Sequence, residues 1–266
     1  MFEEIVIVRG GGDIASGTIQ KLFRSGFKVL VLEVEKPTSI RRKVCFSEAI
    51  YDREIIIEGL KCVVVGTLDE IKEAWKLDII PIVIDLNGKF INLIKPDIVV
   101  DAILAKKNLG TNMSMAPITI ALGPGFEAGK DVDIVIETMR GHDLGRLIFK
   151  GMAMKNTGVP GNIEGFSKER VIYSPCGGVI KNINEIGSIV KAGETIAYVD
   201  DIEIKATIAG VLRGLLRDES IVFKGLKIAD IDPRLGQQKN CNTISDKARN
   251  IAGAVLEGIL LIKNKK

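Results

Sequence analysis

The feature that most constrains this chain is a short apolar run that ends in three consecutive glycines. The β-branched residues of Ile5–Val8 predict a buried strand, Gly10–Gly12 follow, and a helical pattern begins near Ile14. Glycine allows a tight turn and the close approach of an anion, and a helix N-terminus offers free N–H groups and a positive dipole end. The segment therefore predicts a strand–turn–helix unit that binds a phosphate group or a nucleotide.

The residues around this turn have the spacing of a dinucleotide-binding fingerprint. Gly10, Gly12 and Ala15 fit the pattern G-x-G-x-x-A, and Glu33 ends the next apolar run, where an acid would hold a ribose hydroxyl. A purely structural tight turn explains the same glycines, and an acid at a strand end can simply meet water. The cation at the end of the first strand either contacts a phosphate or pairs with a neighbouring acid. The candidate ligand-binding residues here are Arg9, Gly10, Gly11, Gly12, Asp13, Ile14, Ala15 and Glu33.

Composition excludes several classes of protein. Hydrophobic residues make up 46% of the 266 positions and charged residues 27%, which is typical of a soluble chain with an ample core. A net charge of +3 is too small to indicate nucleic-acid binding. The start of the chain is acidic and no apolar run reaches membrane-spanning length, so we expect neither a signal peptide nor a membrane anchor.

The cysteines and the histidine predict no metal site. Four cysteines are scattered without a C-x-x-C pair, and His142 is the single histidine. This usage favours a reducing, cytoplasmic compartment. Cys45, beside the basic residues 41–43, is either a reactive thiol or a small buried apolar residue, and the same alternatives hold for Cys176.

Strand and helix patterns alternate through the first hundred residues. Near-continuous apolar runs at 61–65, 79–85 and 97–101 predict buried strands, and Thr67 with Glu70 predicts the capped start of a helix. Such an alternation predicts an α/β fold, with a Rossmann-like parallel sheet covered on both faces as a first domain over residues 1–165. Ligands of such sheets bind at the carboxyl ends of the strands.

Residues 171–233 contain an internal repeat with an offset of 32. Gly178-Val179 matches Gly210-Val211, and Val190 and Gly193 match Val222 and Gly225. Two such halves predict paired β units and resemble the barrel-sandwich hybrid of biotinyl and lipoyl domains. In those carriers a lysine is modified in the hairpin that joins the halves. The joint here, 199–203, has no lysine, and Lys205 lies on the following strand, so we expect neither biotin nor lipoate.

The tail predicts a C-terminal helix within residues 240–266. Apolar residues recur at helical spacing from Ile244 to Ile259. A small β domain cannot easily bury such a face, so we expect the helix to pack back on the first domain.

Two later segments supply further candidate ligand contacts. Gly123 and Gly125 form a second glycine-rich lip, although the segment 123–131 fails as a Walker A loop because Pro124 and Asp131 stand at required positions. Arg140 and Arg146 suit anion binding, and solvated surface charge explains them equally well. His142 is either a proton donor or anion contact, or a turn residue bonded to a carbonyl.

Four segments together resemble one family. They are residues 8–17, residues 42–52, Ala121–Phe126 and Glu137–Arg146. In their order along the chain they are similar to the accessory proteins of the selenium-dependent molybdenum hydroxylase system, the YqeB-like family. The resemblance implies a cytoplasmic maturation factor that serves a molybdenum hydroxylase client and handles a pterin-based molybdenum cofactor.

Three functions remain open from the sequence. The first is a maturation factor that binds a molybdopterin-type cofactor or another small phosphate-bearing ligand. The second is an NAD(P)-dependent oxidoreductase, and the third is a non-catalytic scaffold for a client enzyme. Whether any reaction is catalysed stays open, and so does the oligomeric state, with a homo-oligomer among the alternatives.

Overall fold

The computed structural model describes residues 3–265, and the chain divides into two compact units. Unit 1 contains the residues up to 37, residues 45–156 and those from 244 onward, and unit 2 contains residues 38–44 and 157–243. The second unit is thus wider than the predicted β domain 171–233. It begins before the expected end of the first domain at 165 and takes in the segment 38–44.

Unit 1 is built on a large sheet of nine strands. In chain order these are β1 (Ile5–Arg9), β2 (Lys28–Glu33), β3 (Glu54–Ile57), β4 (Leu60–Val64), β5 (Ile80–Ile84), β6 (Ile98–Asp101), β7 (Ile118–Leu122), β9 (Ile134–Ile136) and β10 (Leu147–Ile148). A separate two-stranded ladder pairs β8 (Glu127–Ala128) with β11 (Gly151–Met152).

The strands of the large sheet lie in the order β10-β9-β7-β6-β1-β2-β5-β4-β3. The seven inner strands are parallel, and the two edge strands β3 and β10 run antiparallel to their neighbours. The mixed α/β class with a mostly parallel sheet is therefore confirmed. The carboxyl ends of β1, β2 and β6 lie side by side, which places the glycine turn, Glu33 and Asp101 along one edge.

Helices cover both faces of this sheet because alternate strand residues point to opposite sides. The helices are α1 (Asp13–Arg24), α2 (Ala49–Asp52), α3 (Leu68–Lys76), α4 (Lys89–Ile94) and α5 (Asp246–Lys263). Val6 and Val8 belong to the core beneath α1 and α5, whereas Ile7 belongs to the core beneath α3 and α4. Thr67 and Glu70 form the expected reciprocal capping box at the start of α3.

The C-terminal helix α5 is confirmed and packs tightly against α1. A Cβ placed on Gly17 of α1 would lie 2.7 Å from the carbonyl oxygen of Ala248. At the other end of α5, Lys263 forms an ion pair with Glu4, just before β1. Since α1 starts directly after β1, both helices run from the carboxyl edge of the sheet to its amino edge.

Unit 2 is formed by two four-stranded sheets whose strands repeat. The strands are β12 (Val171–Tyr173), β13 (Gly178–Asn182), β14 (Ile189–Val190), β15 (Thr195–Val199), β16 (Ile202–Lys205), β17 (Gly210–Leu215), β18 (Ile221–Val222) and β19 (Lys227–Asp232). The set β13–β15 corresponds to β17–β19 with the predicted offset. The halves exchange their short strands, because β14 pairs with β17 and β18 pairs with β13.

The basic residues 41–43 have structural contacts within unit 2. The Arg42 guanidinium donates to the carbonyl of Leu215 and the Lys43 amine to the carbonyl of Ile186, each at 2.8 Å. These contacts give Arg42 and Lys43 a packing role within unit 2.

The described part of the chain contains neither a membrane-spanning helix nor a cluster of metal ligands. Within residues 3–265 no helix is long and apolar enough to cross a membrane, and no group of three His, Cys, Asp or Glu residues could hold a metal ion. Cys45 is fully buried and Cys176 half-buried, and neither forms a disulfide.

Candidate functional site

The glycine turn joins β1 to α1 as predicted, but part of it is closed. The N–H of Gly10 donates to the carbonyl of Leu32 and the N–H of Gly11 to the Glu33 carboxylate, both at 2.8 Å. A Cβ on Gly11 would lie 2.8 Å from the backbone nitrogen of Ser47, and Gly10 has a φ of +95°. The expectation that the N–H groups face an open cleft therefore does not hold for Gly10 and Gly11.

The start of α1 remains the candidate anion site. Gly12 is the N-cap residue, with an extended backbone (φ −70°, ψ −174°) and no side-chain cap. The N–H groups of a first helical turn have no partners within the helix, which is why helix starts attract anions. Asp13 opens this turn, Ile14 is half-buried, and Ala15 is fully buried in the core and has a packing role.

Glu33 holds the glycine turn in place through hydrogen bonds to its backbone. Its two carboxylate oxygens accept the N–H groups of Gly11 and Val34, both at 2.8 Å. Burial raises the pKa of Glu33, and these two hydrogen bonds oppose that rise. The carboxylate thus orders the turn in the position where a ribose contact was expected.

Arg9 is paired with an acid, the second of the two sequence-based alternatives. Its guanidinium lies 3.6 Å from the Asp101 carboxylate and donates to the hydroxyl of Thr111, which itself donates to Asp101 at 2.5 Å. All three side chains are buried. Burial raises the pKa of Asp101, and Thr111 and Arg9 oppose that rise. The trio ties the loop after β6 to the ends of β1 and β6, and Arg9 is not an exposed phosphate contact.

The second glycine-rich lip is also closely packed. Gly123 and Gly125 have φ values of +78° and +109°, which favour glycine. A Cβ on Gly123 would lie 2.5 Å from the hydroxyl oxygen of Thr138, and one on Gly125 would lie 2.6 Å from the backbone of Lys107. A side chain at either position would clash with these neighbours, so both positions need glycine. The second glycine-rich segment is therefore a structural element at the carboxyl edge of the sheet.

Glu137 organises the segment that carries the remaining candidates. Its buried carboxylate accepts the N–H groups of Met139 at 2.6 Å and Met154 at 2.8 Å. Arg140 makes a two-pronged contact with Asp246 of α5, at 2.9 and 3.3 Å. His142 is exposed, and Arg146 pairs with Asp143 at 3.5 Å. Arg140 is therefore linked to the start of α5, and the ring of His142 contributes no buried contact.

A cleft of about 340 Å³ adjoins this segment. Glu137 and Arg146 contribute polar surface to it, and Phe149, Met152 and Met154 contribute apolar surface. Arg146 therefore lies at the wall of a cleft that could hold a ligand.

Lys247 is a site residue that sequence reasoning missed. It is the second residue of α5, half-buried, and close enough to Asp13, Glu137, Arg140 and Asp246 for their charges to act on it. Burial and the Arg140 charge lower the pKa of Lys247. Its position more than 230 residues after the glycine turn left no local signal.

The fold defines a class of protein: an α/β unit with a large, mostly parallel sheet, in which a glycine turn joins the first strand to the first helix at the carboxyl edge. A search of protein-family models finds no match to this chain. The chain is 48% identical over 262 residues to a protein of Escherichia coli (strain K12) named "Uncharacterized protein YqeB". The matched region is 98% of this chain but 48% of that relative, so the chain spans about half the length of the curated relative it matches. This similarity supports the resemblance to the YqeB-like family.

Solved structures are only distantly similar. The product-bound ectoine utilization protein EutE (DoeB) from Ruegeria pomeroyi is 12% identical, with 86% of this chain and 85% of that chain covered and a TM-score of 0.26. An aspartoacylase family protein from Mesorhizobium loti is 11% identical, with 88% and 86% covered and a TM-score of 0.28. TM-scores this low establish neither a shared fold nor a shared function.

Proposed function

We propose that this protein is a cytoplasmic maturation factor for a molybdenum hydroxylase and that it binds a phosphate-bearing cofactor at the start of α1. The observation that carries the binding part is the N-terminus of α1 at the carboxyl edge of the sheet, where Gly12 is the N-cap residue and makes no side-chain cap. The molybdenum and selenium parts rest on the YqeB-like resemblance alone. In this proposal unit 1 is Rossmann-like and unit 2 is a barrel-sandwich hybrid.

The state of Glu33 favours this function over an NAD(P)-dependent oxidoreductase. A ribose-binding acid must present its carboxylate to the ligand. Each oxygen of Glu33 accepts one N–H group, from Gly11 and from Val34, so a ribose hydroxyl would have to share the carboxylate with the turn that it already holds.

Ligand binding is tested by thermal unfolding of the purified protein with a molybdopterin cofactor, CTP, GTP, NAD or NADP. A ligand at 100 times its dissociation constant adds about 2.7 kcal/mol of stability. We expect the molybdopterin cofactor or its nucleotide form to raise the unfolding temperature. Gly12→Val should abolish this shift, because the valine side chain would crowd the anion position. The extended backbone at Gly12 accepts any residue, so the fold should tolerate the change. Gly253→Ala on α5, where a Cβ meets nothing within 4 Å, is the matched control.

The biological role is tested in a host that makes a selenium-dependent hydroxylase. Deleting the gene should lower hydroxylase activity and its selenium content, and the wild-type gene but not Gly12→Val should restore both. A deletion strain whose hydroxylase stays fully active and fully loaded with selenium would refute the maturation role.

A further inference from the structure

A long irregular loop lies at the point where the topology of the large sheet reverses. This crevice loop, residues 102–117, joins β6 to β7 and contains one short helical turn, Met113–Met115. Strand β1 lies between β2 and β6, so the sheet grows from β1 first in one direction and later in the other. Ligands of open α/β sheets bind in the crevice at such a reversal. An irregular connection longer than about 12–15 residues is uncommon in a compact domain, and when it is ordered it usually has a function.

The crevice loop packs on both glycine segments of the carboxyl edge. A Cβ on Gly10 would lie 3.1 Å from the carbonyl oxygen of Ala102 and 3.1 Å from the Cα atom of Ile103. A Cβ on Gly125 would lie 2.6 Å from the Cα atom of Lys107. In this conformation the loop therefore covers the crevice beside β1.

One side chain provides the hydrogen bonds that tie the middle of this loop to the rest of unit 1. In the described part of the chain, the hydrogen bonds of residues 104–116 stay within the loop, except those of Thr111. The buried Thr111 hydroxyl accepts from the Arg9 guanidinium and donates to the Asp101 carboxylate at 2.5 Å. The Asn108 side chain, in contrast, bonds only to the backbone of the loop itself.

The loop has the properties of a segment with low local stability. Leu104 and Lys106 have left-handed backbones, with φ values of +59° and +62°, a conformation that disfavours residues other than glycine. Ile103, Leu109 and Met113 are exposed, so these apolar side chains add little to the core. Segments with few buried apolar contacts and few hydrogen bonds to their surroundings open at a lower free energy than core strands. We therefore expect the loop to open more readily than β6 and β7.

Opening leaves the buried pair beneath the loop with a substitute partner. Arg9 donates and Asp101 accepts, so the position between them suits a group that both accepts and donates a hydrogen bond. Water has this property, and a bridging water is nearly as favourable in enthalpy as a direct hydrogen bond. Departure of the Thr111 hydroxyl thus admits water to the pair instead of leaving two buried charged groups unsatisfied.

We propose that the crevice loop is a lid, that Thr111 is its latch, and that opening exposes Arg9 and Asp101 to the crevice beside β1. This inference goes beyond the proposed function, because it concerns access to the carboxyl edge and does not depend on an anion at α1. A ligand that contacts Arg9 or Asp101 binds only the open state. Its apparent dissociation constant is therefore raised in inverse proportion to the open fraction.

Phenylglyoxal, a reagent that modifies arginine side chains, measures the opening on the full-length protein. Arg9 is 6% exposed, so it should react slowly and through the open state. Thr111→Val keeps the shape of the side chain and removes both hydrogen bonds. It should raise the rate of Arg9 modification, measured by mass spectrometry, about tenfold or more, as expected for charge-assisted hydrogen bonds. Thr111→Ser keeps the hydroxyl and should react like wild type, and so should Thr157→Val, the same exchange at an exposed threonine.

Two further readouts separate opening of the loop from unfolding of the unit. Lys106 and Lys107 are exposed trypsin sites within the loop, and Thr111→Val should raise their cleavage by a similar factor. Cys62 is fully buried in the core of unit 1, so its thiol reports global unfolding and should react no faster in the variant.

Two results with Thr111→Val would overturn the lid. One is a rate of Arg9 modification and of loop cleavage equal to that of wild type. The other is a parallel rise in Cys62 reactivity, which would show that Thr111 stabilises the whole unit. If the variant does not fold, wild type decides: modification of Arg9 through a lid should be insensitive to low denaturant concentrations, because opening a loop exposes little surface. A rate that follows global unfolding at every denaturant concentration would refute the proposal.

Discussion

Glu58 ties three segments of unit 1 together with one carboxylate. Its Oε1 atom accepts the N–H of Ile244 at 2.8 Å and the Arg249 guanidinium at 2.5 Å, and its Oε2 atom accepts the Gln20 amide at 2.8 Å. Burial alone would raise the pKa of Glu58, but these contacts prevail and lower it to about 2. The start of α5 is therefore held by an ionised acid from the turn between β3 and β4.

This contact predicts a pH-dependent contribution to stability. A carboxylate with a lowered folded pKa stabilises the protein fully above its unfolded pKa of about 4.3, and the contribution is lost as pH falls toward 2. Glu58→Gln should therefore lower the free energy of unfolding by about 2–3 kcal/mol at pH 7, and the difference from wild type should shrink between pH 4.5 and 2. Denaturant unfolding at a series of pH values measures it.

Glu73→Gln provides the comparison, since Glu73 forms an exposed pair with Lys76 on α3. Such a pair contributes about 0–1 kcal/mol. A difference between Glu58→Gln and wild type that stays constant across this pH range would contradict the role assigned to the Glu58 charge.

Single residues also show which parts of the site a sequence can reveal. The glycine turn was predictable because strand, turn and helix are adjacent and their signals are local. Glu33 was found by spacing, but its bond to the N–H of Gly11 was not, since either a ribose or the turn itself satisfies the same carboxylate. Thr111 and Lys247 join the site only through tertiary contacts, from the loop after β6 and from α5. Neither carries a pattern of its own.

Among the elements, α5 packs closely against α1 at Gly17. Gly17→Ala would normally favour a helix by up to about 1 kcal/mol, but its Cβ would lie 2.7 Å from the carbonyl oxygen of Ala248. The variant should therefore lose about 1–3 kcal/mol through overpacking. Gly253→Ala, on α5 itself, meets nothing within 4 Å and should gain up to about 1 kcal/mol.

Chemical denaturation of the two variants measures this contrast. Both variants replace a glycine by alanine on a packed helix, so helix propensity alone predicts a higher free energy of unfolding for each. Equal stabilisation of both would show that α1 and α5 are not in direct contact at Gly17.

Element types were predictable where local signals were strong. The buried parallel strands are continuous apolar runs, and α3 has its capping box, so both were found. The short helix α4 follows a left-handed Gly88, with the carboxylate of the preceding turn residue Asp85 accepting the N–H groups of Lys89 and Phe90, and β3 is held by its pairing with β4. Their formation depends on neighbours, which is why the alternating pattern did not mark them.

At the scale of the whole molecule, the chain consists of two units of different architecture. The repeat in unit 2 relates individual residues as well as strands. Gly178 and Gly210 have φ values of +152° and +158°, and each packs against the acid that ends its own half, Asp200 or Asp232. The offset of 32 therefore relates glycines and acids alike. The duplication was visible in the sequence, whereas the exchange of β14 and β18 between the halves required strand pairing.

This arrangement predicts that unit 2 carries no covalent cofactor. Biotinyl and lipoyl carrier domains, which the repeat resembles, present a lysine at the tip of the hairpin that joins their halves. Here Asp200 occupies that turn with a φ of +49° and its carboxylate accepts the N–H of Val179 at 2.9 Å. Lys205 lies at the end of β16, paired with Glu203 at 2.9 Å. Peptide mass spectrometry of protein isolated from its native host should show an unmodified Lys205, and Lys205→Arg should support the client hydroxylase as well as wild type does. A biotinyl or lipoyl increment mapped to Lys205 would contradict this and make unit 2 a carrier.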